Sequence, residues 1–102
     1  MATDEIREGD VGTVLEVEVR EDDVALDVSD ATTKQILLRK PDGSTVTKTA
    51  SFSSDGTDGR IRYVTVEGDL TAGRWLIQGR VVTPSGEWST EIEAFKVHPN
   101  LA

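Results

Sequence analysis

Residues 69–79, which read Asp-Leu-Thr-Ala-Gly-Arg-Trp-Leu-Ile-Gln-Gly, decide the fold of this chain. An acidic turn and Gly73 lead directly into a strand in which Trp75, Ile77 and Val81 share one face. A turn followed by an inward-pointing aromatic residue is typical of the corner between two packed sheets. The stretch therefore predicts a sandwich of two sheets, with Trp75 as an anchor in the core and not as a ligand contact.

The same period-two alternation recurs in short blocks outward from this corner, and no apolar spacing typical of a helix persists. Gly, Pro and Asp residues separate the blocks and predict turns between them. Seven strands are predicted, at residues 13–20, 24–28, 34–40, 45–52, 60–66, 74–82 and 88–97. The predicted fold class is therefore all-β, an immunoglobulin-like antiparallel β-sandwich of about seven strands, with a small closed barrel as the structural alternative.

The last predicted strand changes the face on which its apolar residues lie. Trp88 and Ile92 are in phase with each other, whereas Phe95 and Val97 have the opposite parity. One extra residue in the strand would produce this change, so we expect a β-bulge near residues 93–94.

The length of 102 residues corresponds to a single domain with one core. We expect an acidic N-terminal arm at residues 1–10, the sandwich at residues 11–99 and a short C-terminal tail at residues 100–102. The absence of cysteine excludes disulfides and cysteine-based metal sites. The sequence has no signal-peptide pattern and no apolar run near the ~20 residues of a membrane span, so we expect no membrane partner and synthesis in the cytoplasm.

The negative charge is concentrated near the N-terminus. Residues 1–30 contain eleven acidic residues and two arginines, whereas the other 72 residues contain eight acidic and nine basic residues. This distribution would repel a polyanion, so nucleic-acid binding is not expected. The acidic residues that we expect to bind a protein partner lie on the arm and at the first turn: Asp4, Glu5, Glu8, Asp10, Glu21, Asp22 and Asp23.

Three features could suggest chemistry, but each has a simpler structural interpretation. His98 is the only histidine and has no nucleophile motif near any serine, so a catalytic relay is not expected. Residues 55–59 resemble a calcium loop but lack its terminal glutamate, and Asp and Gly suit a turn there. Glu91 and Glu93 share an outward strand face and are interpreted as solvated. We therefore predict no catalytic residue, no cofactor and no metal.

An aromatic side chain on a sandwich can also bind sugars by stacking. Trp75 and Tyr63 alternate in phase with aliphatic neighbours and are assigned to the core, whereas Trp88 begins a strand just after a turn. Trp88 is therefore the candidate glycan contact in an alternative hypothesis, a carbohydrate- or cell-surface-binding module.

Several turn and core motifs together resemble the N-terminal domain family of phage baseplate upper proteins, over about residues 11–99. The motifs lie at residues 27–36 (DVSDATTKQI), 38–43 (LRKPDG), 58–63 (DGRIRY), 68–70 (GDL), 73–75 (GRW), 86–88 (GEW) and 95–97 (FKV). The resemblance implies an immunoglobulin-like domain of a tailed-phage virion, in which such domains attach longer receptor-binding or tail-fibre proteins. It implies no catalytic or cofactor residues.

The sequence ends at Ala102 without a receptor-binding region, which shifts the expectation toward a small virion component. We expect a non-enzymatic protein of the tail or baseplate, the neck or the head surface. Its expected partners are other virion proteins, bound by several symmetry-related copies through the acidic arm and an exposed sheet edge.

Overall fold

The computed structural model describes residues 6–99, and this part of the chain is all-β, without a helix. Seven of its eleven strand segments have four or more residues, and the other four have two residues each. The immunoglobulin-like strand order stays a prediction. The segments are Ile6–Arg7 (β1), Val14–Glu18 (β2), Arg20–Glu21 (β3), Val24–Ala25 (β4), Thr33–Arg39 (β5), Thr45–Thr49 (β6), Ser51–Phe52 (β7), Arg60–Val64 (β8), Gly73–Thr83 (β9), Gly86–Ser89 (β10) and Glu93–His98 (β11).

The larger sheet is built around β9, which is also its longest strand. Its order is β1-β11-β9-β5-β6, and β10 pairs with β9 on the same side as β11. All pairings are antiparallel except that of β1 with β11, which is parallel. β9 therefore has neighbours on both sides along most of its length, and its residues alternate between the core and the outer face.

The smaller sheet has the order β2-β8-β7 and is also antiparallel. The chain passes from the larger to the smaller sheet at Ala50, a buried residue between β6 and β7. A short hairpin of β3 and β4 extends from the end of β2. The turn of this hairpin consists of Asp22 and Asp23, both with left-handed backbone angles (φ of 52° and 65°).

The two sheets pack face to face around one hydrophobic core. Gly79 of β9 lies opposite β2, and a Cβ added to it would be 2.4 Å from Cγ2 of Val17. The alternation predicted the inward faces, and the burial of these residues confirms it: Leu15, Val17, Val19, Ile36, Leu38, Ala50, Ile61, Trp75, Ile77 and Val81. Val46, Phe52, Tyr63 and Phe95 are partly buried against the same core.

The corner between the sheets has the structure expected of an anchored turn. Trp75 is 1% exposed, its ring stacks on Phe95 with centroids 5.9 Å apart, and its indole N–H donates to the carbonyl of Thr71 at 2.8 Å. The carboxylate of Asp69 accepts hydrogen bonds from the hydroxyl of Tyr63 and the backbone N–H of Val66. The corner is thus fixed by an apolar anchor on one side and by a polar network on the other.

The predicted N-terminal arm differs from the structure at its inner end. Residues 1–5 lie outside the described residues, but Ile6 is 2% exposed and belongs to the core. Ile6 and Arg7 pair with Val97 and His98, so these two residues complete the edge of the larger sheet. A single apolar residue among charged ones has no periodicity, and sequence analysis therefore assigned it to the arm.

The predicted bulge exists, but it lies a few residues earlier than expected. Ser89 is opposite Arg80 and Glu93 is opposite Ile77, so residues 90–92 face only residues 78 and 79. Thr90 bridges the irregularity: its hydroxyl accepts from the N–H of Gly79 at 2.8 Å, and its own N–H donates to the carbonyl of Gly79 at 2.9 Å. The extra residue changes strand parity and turns Ile92 outward, where it is 63% exposed.

Candidate interaction site

A cleft of about 660 Å³ lies on the side of the sandwich where β2 is the edge of the smaller sheet. One wall is formed by β2, the second by the β3–β4 turn, and the third by the bulge between β10 and β11. Its lining contains two arginines, Arg20 and Arg60, and six acidic residues, so its formal net charge is −4. The acidic residues are Glu16, Glu18, Asp22, Asp23, Glu91 and Glu93.

The carboxylates on the β2 wall are paired. Glu18 accepts hydrogen bonds from Arg20 and, at 3.3 Å, from Arg60. The bond from Arg20, helped by that from Arg60, outweighs the effect of burial and lowers the pKa of Glu18. Glu16 accepts a hydrogen bond of 2.6 Å from the hydroxyl of Ser53 and lies 4.0 Å from Arg60. Both carboxylates of this wall therefore accept hydrogen bonds from described residues.

The carboxylates on the other two walls form no direct ion pair in the described part of the chain, although Arg20 lies close enough to attract Asp23 and Glu91. Asp22 and Asp23 are exposed at the hairpin turn, and Glu91 and Glu93 are exposed at the bulge. Their charges add to one negative field because the cleft brings the turn and the bulge together. The arrangement is suited to attracting a cationic group.

The predicted acidic residues do not form one cluster. Asp22 and Asp23 line the cleft, whereas Glu21 pairs with Val24 in the hairpin and is not part of the lining. Glu8 and Asp10 lie near His98, at the opposite end of β11 from Glu93. Asp10 accepts a hydrogen bond of 3.0 Å from the backbone N–H of Arg7 and so supports the turn after β1. Asp4 and Glu5 lie outside the described residues.

The role of Glu16, Glu18 and Arg60 in the cleft was missed by sequence analysis. The alternation in residues 13–20 showed that the glutamates point away from the core, and this was the one available signal. The third wall carries Glu91 and Glu93, which were interpreted as ordinary solvated residues. β2 belongs to the smaller sheet and the bulge to the larger sheet, so these walls come together only when the two sheets pack against each other.

The other candidate residues serve local structure. Asp55 accepts from the N–H and hydroxyl of Thr57, and Asp58 accepts from the N–H of Arg60, so both carboxylates hold their own turn. His98 pairs with Arg7 at the end of β11. In the described range, no group of three or more His, Cys, Asp and Glu side chains could hold a metal ion. Residues 6–99 contain no helix with the length and apolarity to cross a membrane.

Trp88, the candidate glycan contact, is half-buried in β10. Its ring packs against the hydrophobic core and lies close to Gly86, where an added Cβ would be 3.5 Å from the ring. Only part of the indole is thus available to a ligand, and glycan binding stays a prediction.

Comparison with known protein families adds an identification to this geometry. The family model of the BppU N-terminal domain matches residues 3–74, which is more than half of the chain. The chain belongs to the BppU N-terminal domain family. This family, named for the baseplate upper protein, consists of phage baseplate structural domains. The resemblance stated from sequence motifs is thereby confirmed, over residues 3–74, whereas its motifs at residues 86–88 and 95–97 lie outside the match. No curated protein matches the sequence.

The matched part of this BppU N-terminal domain includes only a portion of the cleft. Residues 3–74 contain β2, the β3–β4 turn and Arg60, but not the bulge that carries Glu91 and Glu93. The three walls of the cleft therefore differ in their relation to the family. The β2 wall and the β3–β4 turn lie within the matched region, and the bulge lies outside it.

Proposed function

We propose that this BppU N-terminal domain is a non-enzymatic structural protein of a phage particle that binds other virion proteins, in several symmetry-related copies. The family match over residues 3–74 carries this proposal, because the family consists of baseplate structural domains. Attachment at the baseplate fits the family best, and the neck and the head surface are the other positions. The chain is made in the cytoplasm of the host and has no nucleic acid or membrane as its partner.

The structure supports attachment through charged surface and sheet edges. Asp22 and Asp23 contribute to a cleft of net charge −4, which would attract a basic surface of a neighbouring protein. Asp4, Glu5, Glu8, Asp10 and Glu21 stay candidate contacts outside the cleft. Since salt screens interactions between exposed charges, attachment through these residues weakens as the salt concentration rises.

The experiment is a protein inventory of purified particles of the phage that encodes the chain. Mass spectrometry of intact particles and of isolated baseplates is expected to detect the chain in a fixed ratio to a baseplate protein. A ratio that is a multiple of the baseplate symmetry would support symmetric copies. Absence of the chain from particles, while it accumulates in the infected cell, would exclude a virion role.

Contact residues are tested by variants in the same particles. Neutralising Asp4 and Glu5 together tests the charge of the arm without replacing any residue of the described sandwich. A truncation of residues 1–10 would not do so, because it also removes Ile6 from the core. Retention of the Asp4→Asn, Glu5→Gln double variant at the wild-type ratio would exclude these two carboxylates as contacts. Sugar binding that Trp88→Ala abolishes would instead favour the glycan-binding alternative.

A further inference from the structure

We propose that the free edge of β2 accepts an extended, basic strand of another virion protein, which adds to the smaller sheet and occupies the acidic cleft. This inference rests on the proposed function and specifies where and how the partner binds. In the described part of the chain, β2 is an outer strand of the smaller sheet and has β8 as its neighbour on one side. An unpaired edge of this kind can be completed by a strand from another protein.

The hydrogen-bond pattern shows which backbone groups this edge offers. Thr65 donates its N–H to the carbonyl of Thr13, and Val19 donates its N–H to the carbonyl of Gly59. In an antiparallel pair the bonded residues alternate, so Thr13, Leu15, Val17 and Val19 point their backbone groups toward β8. The N–H and C=O groups of Val14, Glu16 and Glu18 therefore point away from β8, toward the free edge.

The cleft runs along this edge and not over one face of the sheet. Its lining includes Glu16, Val17 and Glu18, three consecutive residues whose side chains alternate between the two faces of β2. Across the cleft stand residues 89–91 and Glu93, which come from the larger sheet. The cleft is thus open beside the backbone of β2 and closed on the opposite side by residues 89–91 and Glu93, which leaves room for an added strand.

The charges select the kind of strand that fits. A second copy of β2 would bring Glu16 and Glu18 beside the same two glutamates, and like charges in neighbouring strands are unfavourable. A strand with Lys or Arg at alternate positions would instead face Glu91 and Glu93, which form no direct ion pair within residues 6–99, although Arg20 attracts Glu91 from across the cleft. The acidic residues therefore oppose self-pairing of this edge and favour a basic partner.

The other long free edge provides a control, because its lining differs. β6 is an outer strand of the larger sheet, with the sequence Thr-Val-Thr-Lys-Thr. Ala50 donates its N–H to Lys34 and Lys40 donates its N–H to Ser44, so Thr45, Thr47 and Thr49 direct their backbone groups outward. This edge has no acidic residue and does not line the cleft.

The first test places proline on each edge of the full chain and measures retention of the chain on purified particles. Glu16→Pro removes an outward N–H that no described residue uses, so the domain can still fold while strand addition is blocked. Glu16→Ala removes the same carboxylate but keeps the N–H, and Thr47→Pro places proline on the β6 edge. We expect Glu16→Pro to reduce retention about tenfold, with Glu16→Ala and Thr47→Pro close to wild type.

The second test measures the charge dependence with matched pairs. Glu91→Gln with Glu93→Gln changes the charge by the same amount as Asp30→Asn with Glu67→Gln, and the second pair is exposed and outside the cleft. We expect the first pair to weaken retention and to flatten its salt dependence, and the second pair to change neither. Equal effects of the two pairs would overturn the basic-partner assignment.

Circular dichroism establishes that each variant is folded before particles are compared. Hydrogen exchange of the wild-type chain provides a measurement that needs no variant: the amides of Val14, Glu16 and Glu18 are expected to exchange more slowly on particles than in the free chain. Unchanged exchange there, or wild-type retention of folded Glu16→Pro, would overturn the edge proposal. Absence of the wild-type chain from particles would instead overturn the proposed function.

Discussion

The hydroxyl of Tyr63 donates a hydrogen bond of 2.5 Å to the carboxylate of Asp69. Tyr63 belongs to β8 of the smaller sheet, and Asp69 lies in the connection that leads to β9 of the larger sheet. Asp69 also accepts from the N–H of Val66 at 2.8 Å and from Lys48 of β6 at 3.2 Å. Its side chain is 10% exposed, so one carboxylate joins strands of both sheets in a largely solvent-shielded position.

Replacement of Asp69 by Ala should destabilise the domain more than removal of any one of its partners. The change leaves the hydroxyl of Tyr63 and the N–H of Val66 without their acceptor, and we expect a loss of about 2–4 kcal/mol in the free energy of unfolding. Tyr63→Phe removes one bond and should cost about 1–2 kcal/mol. Urea unfolding measures both losses. We expect the double variant Asp69→Ala, Tyr63→Phe to be as stable as Asp69→Ala alone, because the bond between the two side chains is lost only once. Additive losses would contradict a shared network.

The stability of the domain should also fall in acid because of this carboxylate. Burial acts to raise the pKa of Asp69, but the bonds from Tyr63, Val66 and Lys48 together outweigh it and lower the pKa below its usual value. A carboxyl group with a lowered pKa contributes stability above its unfolded pKa of about 3.9, and this contribution is lost as the pH falls through the folded pKa.

Urea unfolding between neutral pH and the acid limit of the folded state checks this expectation. Below about pH 4, the free energy of unfolding of Asp69→Asn should fall less steeply with pH than that of the wild type, because the variant lacks one carboxyl group that takes up a proton on unfolding. Glu18, Asp27, Asp42 and Asp55 also have lowered pKa values, through bonds from Arg20, Ser29, Ser44 and Thr57, so a residual decline is expected in the variant. An identical decline in both proteins would show that Asp69 does not contribute.

Gly79→Ala should destabilise the domain by crowding between the sheets. The new methyl group would meet Val17 at 2.4 Å, Thr90 at 3.2 Å and Ile61 at 3.3 Å, and such overpacking costs about 1–3 kcal/mol. Val17→Ala removes the nearest atoms, so the double variant should be more stable than the sum of the two single changes predicts. Thermal unfolding of the four proteins tests this, and strict additivity would contradict the close approach of the sheets.

Trp75→Phe should separate the packing of the indole ring on Phe95 from its hydrogen bond to Thr71. The smaller ring keeps part of the contact with Phe95 but loses the bond to the carbonyl of Thr71 and leaves a cavity. We expect a loss of about 2 kcal/mol for Trp75→Phe and about 3–5 kcal/mol for Trp75→Ala. Chemical unfolding with Trp88 fluorescence as the probe measures both; losses below 1 kcal/mol would contradict the anchor role.

The strands and their inward faces could be predicted because alternation is a local signal. Leu15, Ile36, Ile61 and Trp75 were each identified as core residues from their neighbours in the sequence, and each is buried. The change of parity before Phe95 also predicted a one-residue bulge. Its exact place could not be predicted, because the choice of Thr90 depends on a hydroxyl that reaches Gly79 on a neighbouring strand.

The candidate site was less predictable because it depends on contacts between distant segments. Asp22 and Asp23 were chosen for their charge, but nothing local indicates that Glu91 and Glu93 stand near them. Tyr63 was assigned to the core from its phase, and its bond to Asp69 could not be foreseen from the sequence alone. Such features follow from how the sheets face each other, which alternation within one strand does not encode.

The pairing of Ile6 with Val97 has a consequence for the order of folding. Two strands from opposite ends of the described chain complete one sheet edge, so this contact has nearly the largest sequence separation that the domain allows. The cost of closing a loop rises with its length, so we expect this contact to form late in folding. During synthesis, the strand that pairs with Ile6 exists only after β11 has left the ribosome, and until then residues 73–77 of β9 lack the neighbour that β11 provides. The nascent domain therefore stays vulnerable to misassociation until its last strand is released.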